Sequence, residues 1–244
     1  MKKLWPLVVL ALVSYVVFAV ATLPAHLLVS RLAPLIVADG VQGTVWSGEA
    51  QVVQQGPAFL GSATWKLHPL ALFTGKMKAD VKLTRPDGFG QGVVTVGFSG
   101  RVVFNDVTAS LPLTTFATPG RWTGTVNLRM KQLALSNGWP DQADGQVEVI
   151  DLVGPANRPT ALGSYRIIFP PGAAAGNELV GALGDMGGPL ELAGNIRLKN
   201  DRSYVLEGSV AARADAPKSV ADTLQYLGAP DAQGRRPFSI AGTM

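Results

Sequence analysis

A chain of 244 residues with 21 Lys and Arg against 17 Asp and Glu carries a formal net charge of only +4, and no block is basic enough to follow a nucleic-acid backbone. There is no cysteine, which excludes a disulfide framework and thiolate metal sites and leaves the core to hold the fold. The 28 Gly and 17 Pro, set against 7% aromatics, fit many short strands divided by turns.

The first element is the uncharged run LWPLVVLALVSYVVFAVATL, Leu4 to Leu23. A bilayer core needs roughly 20 apolar residues as helix, so this run predicts a transmembrane anchor. Lys2 and Lys3 precede it and are the topology determinants. Positive flanks stay in the cytoplasm, which puts residues 1–3 inside and the rest of the chain outside. The competing reading is a cleaved signal peptide, with Ala19-Val20-Ala21 as its small-x-small site. The run is longer than the usual apolar segment of a signal, about 7–15 residues, and apolar character resumes at Leu27, Leu28 and Val29. An uncleaved anchor over 4–23 is therefore the favoured reading.

Residues 24–40 read as an interfacial connector, with Leu27, Leu28, Leu32, Leu35 and Ile36 at rough helical spacing. Asp39-Gly40 marks a turn, and residues 41–244 form the expected extracytoplasmic β-domain. Val41 to Gln54 gives two short strands or one bent at glycine, and Gly61 to Leu67 gives another. Leu70 to Phe73 is a short apolar patch. Lys76, Lys78, Asp80 and Lys82 alternate with Met77, Ala79, Val81 and Leu83, which predicts one wet and one buried face.

Strands follow over 92–100, 101–111, 122–135, 146–152 and 164–169, with Asn137-Gly138 as a turn. The stretch 170–188 is low in complexity and reads as a mobile loop or plain linker. A hairpin over 189–198 and 203–213, a helix over 216–227 and a terminal strand over 238–241 complete the chain. Gly43, Gly124, Gly145 and Gly194 each open an alternating strand, where glycine suits a bend or bulge. The fold class is mainly β: an N-terminal transmembrane helix, then a curved, largely antiparallel sheet with an apolar concave face and one short helix near the C-terminus.

No chemistry assembles along the sequence. His26 and His68 share no metal-ligand spacing with each other or with a carboxylate. Gly88, Gly90 and Gly92 lack the helix that a phosphate loop requires and read as a hairpin turn. No Gly-x-Ser-x-Gly elbow or acid–base pair stands out. The expectation is no catalytic residue, no metal and no cofactor. Trp46, Trp65 and Trp139 are candidates for partner anchors or core aromatics.

In order, the apolar N-terminus is followed by GTVWSGEA (Gly43–Ala50), WKLHPLALFTGKM (Trp65–Met77) and NGWP (Asn137–Pro140). GGPLELAGNIRL (Gly187–Leu198) and LGAPDAQGRRPFSIAGTM (Leu227–Met244) come after these. This series resembles the type II secretion system protein N family, also called general secretion pathway protein N, over nearly the whole chain. Each piece alone is weakly specific; their order is more so. The resemblance implies a Gram-negative inner-membrane protein with a periplasmic domain, in the machine that exports folded proteins across the outer membrane. It implies an accessory part, other secretion subunits as partners, and no enzyme. A second class of function stays open beside it: a tethered lipid-binding or lipid-transfer protein whose apolar sheet face shelters acyl chains. Membrane lipids are partners of the N-terminal helix in either case, and nucleic acid is not.

Overall fold

The computed structural model describes residues 5–32, 36–56, 58–97, 100–116, 122–155, 159–175 and 178–243. Lys2 and Lys3 lie outside them. The chain divides into two compact units, 1–86 and 87–244.

The first unit begins with helix α1, Trp5–Ala21, 17 residues long. Its apolar side chains face outward all round, with Trp5 73%, Tyr15 70% and Phe18 67% exposed. At about 1.5 Å per residue α1 reaches about 25 Å, short of a bilayer core of about 30 Å. Among the described residues no helix is long and apolar enough to cross a membrane. The expected span over Leu4–Leu23 is thus shortened at its C-terminal end. Leu23 is already drawn toward the sheet, its carbonyl accepting from the Val45 N–H at 2.8 Å.

After α1 come helix α2 (His26–Leu32) and strands β1 (Val37–Asp39), β2 (Gln42–Gly43), β3 (Ser47–Gln55), β4 (Ala58–Leu67) and β5 (Lys76–Arg85). The strands pair antiparallel as β1-β3-β4-β5, with β2 also on β3. A 3-10 turn, Pro69–Thr74, links β4 to β5. Alternation in β5 holds for the exposed Lys76, Lys78 and Lys82 and the partly buried Val81 and Leu83. Met77, expected inside, is 41% exposed. It lies beyond the last paired residues of β4 and β5, Leu67 and Ala79, so the ladder with β4 ends short of it.

The second unit is a run of long strands. They are β6 (Gly88–Gly97), β7 (Val102–Pro112), β8 (Thr123–Ser136), β9 (Trp139–Val153) and β10 (Ala161–Phe169). β11 (Ala174–Ala175), β12 (Glu178–Asp185), β13 (Leu190–Lys199), β14 (Ser203–Ala212) and β15 (Arg236–Thr243) follow. Neighbours in the order β6-β7-β8-β9-β10-β12-β13-β14-β15 all pair antiparallel, and β11 pairs β12. Helix α3, Lys218–Leu224, buries Val220 and Leu224 before β15.

β9 and β13 come within 8 Å of each other although β10 and β12 lie between them in the order. A flat sheet with strands about 4.8 Å apart would hold them roughly 14 Å apart. The sheet therefore curls sharply here. Inside the curl Met130, Ala143, Phe169, Ala173 and Leu179 form the core, with Val147, Ile167 and Ile196 against it. β12 runs through the stretch expected to be a loop. Its glycine explains both the expectation and the strand: a Cβ at Gly181 would meet the Phe169 ring at 2.6 Å. Small residues that weaken strand propensity are what the curl has room for.

Candidate functional site at the junction of helix and sheet

The segment Gly43-Thr44-Val45-Trp46 fastens α1 to the first sheet. A tight turn forms as the Thr44 N–H donates to the Ser47 carbonyl at 2.9 Å. Gly43 sits at φ 91°, where a side chain would run into the Ser47 carbonyl. Its own carbonyl accepts from the Ala25 N–H at 3.1 Å. The Trp46 indole N–H then donates at 2.7 Å to the Val20 carbonyl in the last turn of α1, which the Leu23 N–H reaches only at 3.4 Å.

Trp65 locks the same segment from β4. Its indole N–H donates to the Val45 carbonyl at 3.2 Å. Its ring lies over Gly48, where a Cβ would meet it at 2.5 Å. The Leu67 N–H donates to the Trp46 carbonyl at 2.7 Å, and the chain then enters the 3-10 turn. His68 opens that turn. Its N–H donates to the Lys78 carbonyl at 2.8 Å, and its Nε2 lies 2.9 Å from Asp80 Oδ2. The pair is half exposed, and pairing of Lys66 with Asp80 across β4 and β5 creates it. Sequence spacing alone did not show it; the only signal is a His-Pro turn between two alternating runs.

The structure thus brings Trp46 and Trp65 together at one junction. Trp139 belongs to the second unit, where it opens β9 opposite Ser136. Its indole nitrogen is buried, with no hydrogen-bond partner among the described residues. Beside it Asp141 accepts from Ser136 Oγ at 2.7 Å and from Arg101 at 3.1 Å.

A polar cluster closes the β12–β13 turn. Arg213 donates to Asp185 Oδ2 at 2.6 Å and to the carbonyls of Gly188 and Leu190 at 2.7 and 3.1 Å. Burial would raise the Asp185 carboxyl, but hydrogen bonds from the Leu192 N–H, Arg213 and the Gly187 N–H outweigh it and hold it below the usual carboxylate range. Burial, with Asp185 nearby, pushes the Tyr165 hydroxyl up. The bonds from Arg213, the Leu192 N–H and the Gly187 N–H fix this turn. Among the described residues no group of three His, Asp or Glu could hold a metal ion.

An exposed apolar helix fastened to an antiparallel sheet, with the hydrogen bonds named above holding turns and junctions, defines a β-scaffold that carries an apolar helix. The family model described as "Type II secretion system (T2SS), protein N" matches residues 34–239, and the chain belongs to that family. Two relatives named type II secretion system protein N are similar over nearly their whole lengths. The Aeromonas hydrophila protein is 27% identical over 256 residues, covering 99% of each chain. The Vibrio cholerae serotype O1 (El Tor) protein is 29% identical over 239 residues, covering 92% of each. No solved structure matches.

Proposed function

We propose that this chain is an accessory adaptor of the type II secretion system, held in the inner membrane by α1 with its N-terminus cytoplasmic and its β-structure periplasmic. It supports export of folded proteins by holding other secretion subunits and performs no chemistry itself. The observation that carries the reading is α1: its described apolar side chains are exposed all round, yet it is hydrogen-bonded through Val20 to Trp46. Such a helix needs an apolar medium. With Leu4 before it and Thr22 and Leu23 after it, a slightly thinned bilayer accommodates its length.

The binding element in this proposal is β15. It pairs with β14, and among the described residues its other edge pairs with nothing. A free edge accepts a partner's strand through main-chain hydrogen bonds. Met130, Phe169 and Leu179 fill the space inside the curl, which favours an adaptor over an acyl-chain carrier.

The test is a photo-cross-linking residue at Ile240, which is 52% exposed on β15, in cells making the secretion apparatus. The expected product joins this chain to another secretion subunit. Cross-links to lipid alone would replace the adaptor reading with the lipid-handling one.

A further inference from the structure

The Pro69–Thr74 turn carries the most exposed apolar side chains among the described residues of the first unit's sheet region. Phe73 is 89% and Leu70 77% exposed, with Leu72 and Met77 each 41% beside them. A 3-10 helix has about three residues per turn, so Leu70 and Phe73 stand on one face, one above the other. The turn is not slack. The Ala71 N–H donates to the His68 carbonyl at 3.1 Å, the Gly75 N–H to the Leu72 carbonyl at 3.0 Å, and Thr74 Oγ1 to the Ala71 carbonyl at 2.7 Å. These bonds satisfy several of its polar groups locally, which lowers the cost of entering an apolar medium.

Two further observations say what covers it. Exposed Lys66, Lys76 and Lys78 flank it on β4 and β5, while the nearby carboxylate, Asp80, is engaged by His68. The turn also lies at the end of the sheet where α1 enters. Val20 accepts from Trp46, Trp46 accepts from Leu67, and the turn begins two residues later. An apolar wedge ringed by lysines matches a bilayer surface bearing anionic headgroups.

We propose that Pro69–Thr74 is a second membrane contact, which sinks Leu70 and Phe73 into an anionic phospholipid surface while Lys66, Lys76 and Lys78 meet the headgroups. The inference rests on the reading that α1 lies in the bilayer. Two attachments set side by side fix how the first sheet stands on the membrane, where α1 alone would let it swivel.

The chain has no cysteine, so single cysteines label uniquely. Full-length protein carrying Phe73→Cys is labelled with an environment-sensitive fluorophore and reconstituted in phosphatidylethanolamine–phosphatidylglycerol vesicles. Val13→Cys reports α1, and Gln55→Cys reports the opposite end of β3. Expected are severalfold brighter emission at 73 than at 55, and quenching of 73 and 13 by lipid-borne quenchers. Lys76→Gln with Lys78→Gln weakens the signal at 73, and so do vesicles of phosphatidylcholine alone. A wet label at 73 with a lipid-quenched label at 13 overturns the second contact and leaves the anchor standing. Wet labels at both positions overturn the anchor reading and this inference with it. Equal signals at 73 in anionic and zwitterionic vesicles overturn the part given to the lysines.

Discussion

The indole N–H of Trp46 donates to the carbonyl oxygen of Val20 at 2.7 Å, closing 26 positions of chain and tying α1 to the first sheet. Trp46→Phe keeps most of the ring and deletes this bond. The expected cost is about 1 kcal/mol of stability in detergent, the net worth of one hydrogen bond. Denaturant unfolding measures it, and faster amide exchange in the last turn of α1 localises it.

The same bond bears on processing. A leader cut after Ala21 would remove Val20 and leave Trp46 without its acceptor. Amino-terminal sequencing of membrane-extracted protein is expected to show α1 still attached. A mature chain starting at Thr22 would remove the anchor from this account.

Acid should loosen the β12–β13 turn. The Asp185 carboxyl is held below its ordinary value of about 3.9, so its stabilisation is fully present above that pH and is lost as pH falls through the lowered value. Asp185→Asn is expected to cost roughly 1–2 kcal/mol at pH 7. It should also flatten the loss of stability below about pH 4. Urea midpoints from pH 2.5 to 7 check both; identical acid slopes in parent and variant would contradict the assignment.

Core filling inside the curl predicts that Phe169→Ala costs about 3 kcal/mol or more, since the ring is 7% exposed. Gly181→Val should cost a further amount of order 1–3 kcal/mol by driving a side chain into that ring. In a double variant the two costs should fall short of their sum, because the smaller residue at 169 makes room for the larger one at 181. Strict additivity in thermal unfolding would place the ring elsewhere.

The two faces of β5 differ in tolerance. Val81→Asp puts a charge on the partly buried face and is expected to cost about 2 kcal/mol. Lys82→Glu and Met77→Ser, both on exposed side chains, should stay within roughly 0.5 kcal/mol. Purified variants compared in one denaturant titration separate these outcomes.

Local pattern was enough to make the β-class legible. Period-two alternation marked β5, β8 and β13, and Asn137-Gly138 marked the turn between β8 and β9, because both signals act over a few residues. Ordered short motifs, with the apolar N-terminus, were enough to point to the family. Tertiary structure decided the rest. β12 was not legible: Gly181 reads as loop until Phe169, 12 positions earlier, is seen to occupy the space a side chain would need. The His68–Asp80 and Asp185–Arg213 pairs arise from strand register and turn closure. Trp46 and Trp65 were legible as important rings but not as the fastening of α1. Whether an indole anchors a partner or caps a helix depends on which carbonyl the fold sets 2.7 Å from its N–H.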